Sequence, residues 1–258
     1  MRVKITLCLC LISLSAVATE LKTPLKVAAI DWCPQLCPKL GDKQGFIQEI
    51  VELIYAGSKY DLKVEFYPWS RALTMVRQGR VDAILSPAKA EAPDLLYPLN
   101  EVGLQRMCFF TTADDSWNYE SVSSLSGRQF GIATDTSIEE LNEYAEKHQE
   151  QFQYQPYHDR YIMQQANKVK RKRVDAFLFT YNSTVYELKR RGVQEQFRNA
   201  GCVTSTYVYM AFTPNPSMQN KIAPAIDYFD QQMLKLKQGE GIEDIMQRYG
   251  LEDWRQLE

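Results

Sequence analysis

One motif occurs twice in this chain. Val76-Arg77-Gln78-Gly79-Arg80 ends a helical apolar pattern in a basic turn, and the short apolar run Val81-Asp82-Ala83-Ile84-Leu85 follows at once. About ninety residues later Asn167 to Arg173, another helical end rich in cations, leads into Val174-Asp175-Ala176-Phe177-Leu178-Phe179. A helix, a basic turn and a buried strand in the same order at two places predict two similar α/β lobes. Two lobes enclose a cleft, and small ligands of open α/β sheets bind outside the carboxyl ends of the strands.

The amino terminus predicts export. Met1-Arg2-Val3-Lys4 is a short basic segment, Ile5 to Ala16 is apolar, and Ala16-Val17-Ala18 has the small-x-small form of a signal peptidase site. The run is too short for a bilayer span, which needs about 20 apolar residues. Neither Cys8 nor Cys10 follows the small residue of a lipoprotein signal, so residues 1–18 are expected to be removed without lipidation. Their removal takes away Arg2 and Lys4 and no acid, and the formal net charge moves from −2 to −4. A mildly acidic surface argues against nucleic acid or an anionic membrane as partner. The basic run Lys168 to Arg173 reads as a solvated helix end, with cations near the carbonyl pole of the dipole.

Four cysteines remain after export: Cys33, Cys37, Cys108 and Cys202. An even count in an oxidising compartment favours disulfides, and four cysteines allow three connectivities. Cys33 and Cys37 are close enough to close a small loop, and Cys108 and Cys202 bracket the expected second lobe. The preferred pairing is 33–37 with 108–202, with free thiols as the alternative. A zinc site needs four ligands, and His148 and His158 lie far in sequence from either cysteine pair. No metal and no cofactor is expected. Cys33 has no histidine near it in sequence to make it a nucleophile, and Asp82 and Asp175, which open matched strands, read as structural.

Periodicity fills in the elements. Leu25 to Ile30 reads as a strand, Phe46, Ile47, Ile50, Val51 and Ile54 as one face of a helix, and 62–67, 70–78 and 81–85 as strand, helix and strand. This β-α-β-α-β order predicts a parallel sheet covered by helices. The second lobe has a strand at 130–133, a helix from Ile138 to Lys147 opened by a capping box of Ser137 and Glu140, a helix at 160–171, a strand at 174–179 and a helix at 183–191. Thr206 to Phe212 carries the chain back, and helices at 218–237 and 241–248 close it. The chain crosses between lobes near 102–106 and 204–208, two parallel crossovers that make a hinge. The expected divisions are 19–103 for the first part of lobe 1, 104–206 for lobe 2, and 207–258 for the return to lobe 1.

These residues resemble the type II periplasmic solute-binding proteins, family 3, which includes receptors of polar-amino-acid ABC transporters. The resemblance rests on Gly45-Phe46, Gly79-Arg80-Val81-Asp82-Ala83, Tyr97-Pro98, Arg173-Val174-Asp175-Ala176 and Tyr209-Met210-Ala211-Phe212 with its two closing helices. Pro68-Trp69-Ser70-Arg71-Ala72 is similar to a divergent branch of that family. The resemblance implies an α/β, two-lobed fold in which each lobe is a mostly parallel sheet flanked by helices, joined by a two-strand hinge. It also implies a non-enzymatic, monomeric receptor whose partners are a small solute and a membrane permease or sensor protein.

The family's pocket maps onto this chain position by position. Its first-loop acid and aromatic match Asp31 and Trp32, its ligand-packing aromatic Trp69, and its small residues after the third strand Ser86 and Pro87. Its lobe-2 helix-start turn matches Thr134 to Ser137, with Asp135 where glycine is usual. Two clamps are missing. The arginine that holds a ligand α-carboxylate bidentately has no counterpart in Ala88-Lys89-Ala90-Glu91-Ala92-Pro93-Asp94, and the carboxylate that receives the α-amine falls near uncharged Thr180. A buried ammonium without an anionic partner costs several kcal/mol, so ordinary α-amino acids are disfavoured. Arg71 and Lys89 offer a relocated anion site, with the backbone of Thr136 and Ser137 as another. The candidate ligand set is Asp31, Trp32, Phe46, Trp69, Arg71, Ser86, Lys89, Asp135, Thr136, Ser137, Thr180 and Tyr181. A rival expectation is an interaction or signalling module on the same fold that has lost small-molecule binding.

Overall fold

Leu25, Val27, Ala28 and Ala29 are all fully buried, so the strand that carries them must be covered on both faces. That strand, β1 (Thr23–Ala29), is central in a sheet of order β2-β1-β3-β9. In the computed structural model, which describes residues 22–38, 41, 43–134 and 139–256, β2 (Tyr60–Phe66) and β3 (Ala83–Leu85) run parallel to β1. β9 (Met210–Phe212) pairs antiparallel with β3. Strand alternation sends Leu25, Val27 and Ala29 to one side, against α1 (Phe46–Tyr55), α6 (Gln219–Lys237) and α7 (Gly241–Arg248). Ala28 and Ile84 face the other side, against Ala72 and Val76 of α2 (Trp69–Arg77).

The second sheet has the order β6-β5-β7-β4-β8. β5 (Phe130–Ala133) runs parallel to β6 (Phe152–Gln155) and β7 (Ala176–Thr180), while β4 (Gly103–Thr112) is antiparallel to β7 and to β8 (Phe197–Val208). One face packs Phe109, Phe130, Ile132 and Leu178 with Leu141 and Ala145 of α3 (Glu139–Lys147). The other packs Phe110, Phe177 and Phe179 with Tyr161, Ala166 and Leu188 of α4 (Tyr161–Lys170) and α5 (Tyr181–Arg190).

The fold is the expected two-lobed α/β architecture, with two corrections. Both sheets are mixed, because each takes in strands on the crossing or returning path. The crossing segments are also not parallel: β4 and β8 pair antiparallel from Gly103↔Val208 to Thr112↔Phe197, as a chain that goes out and comes back must if the two legs are neighbours. Edge strand β6 goes unseen in the sequence because Gln153 and Gln155 alternate with aromatic residues in a run that reads as polar loop. Both expected disulfides are present, Cys33–Cys37 and Cys108–Cys202. The signal segment 1–18, the capping box at Ser137, and the candidates Asp135, Thr136 and Ser137 lie outside the described residues.

The repeated motif has a repeated structural role. Asp82 accepts the Lys26 N–H at 2.6 Å and Asp175 accepts the Gln129 N–H at 2.7 Å. Each aspartate ties the start of its own strand to the backbone of the neighbouring parallel strand or the residue leading into it. This is the structural role the sequence assigned them.

The loop leaving β1 is fixed at several points. Trp32 and Leu36 exchange both backbone hydrogen bonds (3.0 and 2.9 Å) across the Cys33–Cys37 disulfide. The N–H groups of Phe46 and Ile47, left without helical acceptors at the start of α1, donate to the carbonyls of Pro34 and Gln35 at 3.0 and 3.1 Å. Such contact requires Gly45: its φ is 101°, and a Cβ there would lie 2.5 Å from the Gln35 oxygen and 2.6 Å from the Leu36 Cα. Both obstacles are backbone, so no rotamer change relieves them. Gly45→Ala is therefore expected to cost about 2–3 kcal/mol from strain and overpacking, read as a lower urea midpoint. An unchanged midpoint would mean that the loop is not held against α1.

Candidate functional site

The carboxyl ends of three strands each carry a candidate residue. β1 delivers Asp31, β3 delivers Ser86, and β7 delivers Thr180 at the start of α5. A cavity of about 230 Å³ lies between the loop after β1 and the segment that holds α4 and α5. Lobe 1 lines it with Asp31, Cys33, Cys37 and Pro38 of the stapled loop, and lobe 2 with Tyr157, His158 and Asp159 before α4 and Ser183, Tyr186 and Glu187 on α5. Burial first, then the carboxylates of Asp31, Asp159 and Glu187, pushes the Tyr157 phenol up to about 12, so it keeps its proton at neutral pH. Its ring stacks on Phe179 at 5.3 Å. Glu187 is neutralised by Arg190 and Arg191 at 2.7 and 2.8 Å.

Three contacts join the lobes beside this cavity. Gln35 Nε2 donates to Ser183 Oγ at 3.4 Å, a long bond. Lys189 Nζ donates to the Gly250 carbonyl, and the rings of Tyr186 and Tyr249 lie 6.1 Å apart. Helix α5 of lobe 2 thus touches both the β1 loop and the end of α7.

Of the described candidate ligand residues, only Asp31 lines this cavity, together with the disulfide cysteines Cys33 and Cys37. Trp32 sits in the same loop. Trp69, the first residue of α2, is half-buried at the edge of the core, and Arg71 is exposed with its guanidinium 5.2 Å from the Tyr67 ring centre. Lys89 is exposed, 4.6 Å from the Tyr209 ring centre and 5.9 Å from that of Tyr97. Phe46 needs correcting. At 1 % exposure it is a core residue, edge-on to Tyr249, because it opens the apolar face of α1 instead of flanking the cleft. Ser86 and Thr180 are 3 % and 6 % exposed, and neither hydroxyl has a hydrogen-bond partner among the described residues. Ser86 also holds a φ of 74°, a left-handed backbone costly for a residue with a Cβ.

By sequence, no protein-family model and no curated protein matches the chain. Solved structures do match. The L-cystine solute receptor of Neisseria gonorrhoeae, in its unliganded open conformation, superposes with a TM-score of 0.67 at 13 % identity, over 91 % of this chain and 95 % of that one. A protein of glutathione import from Streptococcus mutans, studied with a cystine ABC importer, gives 0.68 at 16 % over 90 % and 97 %. A histidine kinase sensor domain similar to periplasmic binding proteins gives 0.64 at 14 % over 90 % and 99 %. The chain has the two-lobed periplasmic-binding-protein fold.

On that fold, the segment where an arginine clamp is expected, 88–94, is instead tied up locally. Glu91 accepts the Ala88 N–H at 2.8 Å, and Asp94 pairs with Arg77 at 2.8 Å. That pairing holds the Asp94 carboxyl below its usual range. Three features of this periplasmic-binding-protein fold escaped the sequence reading. Tyr157 to Asp159 carries no motif and reads as a loop before a helix. Ser183 and Glu187 look like ordinary helix polar residues until the lobes meet. Arg106 had a visible signal, a lone cation inside the apolar crossing run Leu104 to Phe110. Among the described residues no cluster of His, Cys, Asp or Glu is placed to hold a metal ion, and no helix is long and apolar enough to cross a membrane.

Proposed function

We propose that this chain is an exported, periplasmic receptor that closes its two lobes on a small polar or anionic organic solute. The carrying observation is that two buried hydroxyls without a partner among the described residues, Ser86 after β3 in lobe 1 and Thr180 at the end of β7 in lobe 2, stand at strand carboxyl ends, the ends where ligands of open α/β sheets bind. A buried hydroxyl without a partner costs free energy, and a solute held between the lobes supplies the missing partners. Binding and closure are coupled because only the closed arrangement offers both lobes to the solute at once. The closed form is then what an ABC permease or a signalling protein recognises.

Both zwitterion clamps are replaced, so glutamine, glutamate, arginine and cystine are expected to bind more weakly than micromolar by calorimetry. Micromolar binding of any of them would overturn this specificity. The receptor role itself is tested by native mass spectrometry of the protein purified from its host, followed by a thermal-shift screen. A true solute at a hundred times its dissociation constant stabilises the fold by about 2.7 kcal/mol, roughly 5–10 °C for a chain of this size.

The contacts of α5 with Gln35, Tyr249 and Gly250 favour one further reading, in which the lobes rest together without solute and the fold serves as an interaction or signalling module. Failure of every solute to co-purify or to shift the melt would select that reading.

A further inference from the structure

Arg106 carries the only cationic group among the described residues whose side-chain nitrogen is buried without a hydrogen-bond partner. It lies on the crossing strand β4, next to Met107, which pairs with Thr180, so it stands opposite Tyr181, the first residue of α5. Its guanidinium carbon is 3.9 Å from the Tyr181 ring centre, a cation–π contact that fixes the side chain but uses none of its N–H donors. It forms no ion pair with any described carboxylate. A guanidinium satisfies its five planar donors best against a carboxylate or similar oxyanion. Leaving Nη2 buried and idle is costly unless something else arrives to accept from it.

Two more donors lie within one residue of this contact. Thr180 caps α5, yet its side chain makes no capping bond, and its buried Oγ1 has no partner among the described residues. The first N–H groups of α5 have no acceptor within the helix, and the helix dipole places positive potential at that end. Crossing strand and helix start therefore bring together an idle cation and a positive pole, and the idle hydroxyl of the cap residue lies one register step away on the alternate face of the strand pair.

We infer that the start of α5 is an anion subsite, in which Arg106 and the first N–H groups of α5 hold a carboxylate or comparable oxyanion of the solute, with the buried Thr180 hydroxyl at its edge. This rests on the receptor reading above and sharpens it. Where the resemblance would place an acid for a ligand ammonium, this chain has an uncharged threonine with an arginine beside it, so the electrostatic sign of the subsite is reversed. Arg71 and Lys89 do not compete for this role, since both are exposed.

The test measures solute binding by calorimetry to wild type, Arg106→Gln, Arg106→Lys and Thr180→Asp, with Lys147→Gln, an exposed cation on α3, as control. The solutes are whatever co-purifies with the protein, together with a length-matched panel: succinate, glutarate and citrate, the diamides of the first two, and 1,4-diaminobutane and 1,5-diaminopentane. Urea midpoints show that each variant is folded. The expected result is binding confined to anionic solutes, weakened roughly 10- to 100-fold by Arg106→Gln through loss of a charge-assisted bond. Arg106→Lys should lose less, Thr180→Asp at least as much as Arg106→Gln, and the control nothing. A solute that is neutral or cationic, or an anionic one bound equally by Arg106→Gln, would overturn the subsite and leave the receptor role intact. Wild type that binds no solute of any class would overturn the receptor role, and the subsite with it, before any variant is compared.

Discussion

Replacing Cys108 and Cys202 together by alanine is expected to lower the unfolding free energy by about 4–5 kcal/mol. The disulfide closes a loop with a sequence separation of 94 residues, and the chain-entropy model assigns a cross-link of that span about 4.7 kcal/mol of denatured-state restriction. It joins β4 to β8 where their register shifts beside Cys108, so it also holds an irregular part of the ladder. The Cys33–Cys37 bridge closes a span of only 4 residues, for which the same model gives about 2 kcal/mol. The loop it closes is already held by the Trp32–Leu36 bonds and by the start of α1. Urea titrations of the two double variants compare the bridges directly. A loss at 108/202 no larger than that at 33/37 would show that the crossing strands hold lobe 2 together without covalent help.

On the receptor reading the crossing strands matter for function as well as stability. β4 and β8 carry the chain between sheets, and the anion subsite stands on β4 itself, two residues before Cys108. A hinge that bends with few broken contacts must still keep Arg106 at a fixed distance from α5. β4 is held to β7, which ends at Thr180, by its own ladder from Met107↔Thr180 to Phe110↔Phe177, and the Cys108–Cys202 disulfide links the same stretch of β4 to β8.

Sequence revealed the parts of this molecule that are local. The echo at Asp82 and Asp175 predicted two lobes because a helix, a turn and a buried strand are each written in a dozen residues. Export and cysteine spacing led to both disulfides because only short-range proximity and lobe order were needed. The site was less legible because it is assembled from pieces far apart in the chain. Asp31 and Glu187 are 156 positions apart and line one cavity. Phe46 was misplaced because an aromatic residue opening a helix reads alike whether it faces a cleft or a core. Only its packing against Tyr249, 203 positions away, decides. Arg106 was readable as an anomaly, a charge within an apolar strand, but its meaning depends on α5 arriving opposite it.

Asp82→Ala is expected to cost about 3 kcal/mol, more than the matched substitution Asp175→Ala. Asp82 is 1 % exposed, and its two oxygens are both engaged: one accepts the Lys26 N–H and the other the Lys221 ammonium, each at 2.6 Å. The carboxylate therefore ties β3 to β1 and to α6, the first helix of the chain's return. Removing one partner of a buried pair strands the other, at about 3–5 kcal/mol. Lys221 is 30 % exposed and can turn part of its charge to water, which places the loss at the low end. Asp175 makes the equivalent backbone bond to Gln129 but has no ion pair with a described residue, so its removal should cost about 1.5–2 kcal/mol, the range for one charge-assisted bond. Lys221→Met in the Asp82→Ala background should recover part of the loss, because the stranded cation is then gone. If Asp175→Ala proves the more damaging, or if Lys221→Met adds to the loss, then α6 is not fastened to lobe 1 through Asp82. The returning segment would in that case be held by its apolar face alone, through Ile222, Ala225, Phe229 and Met233.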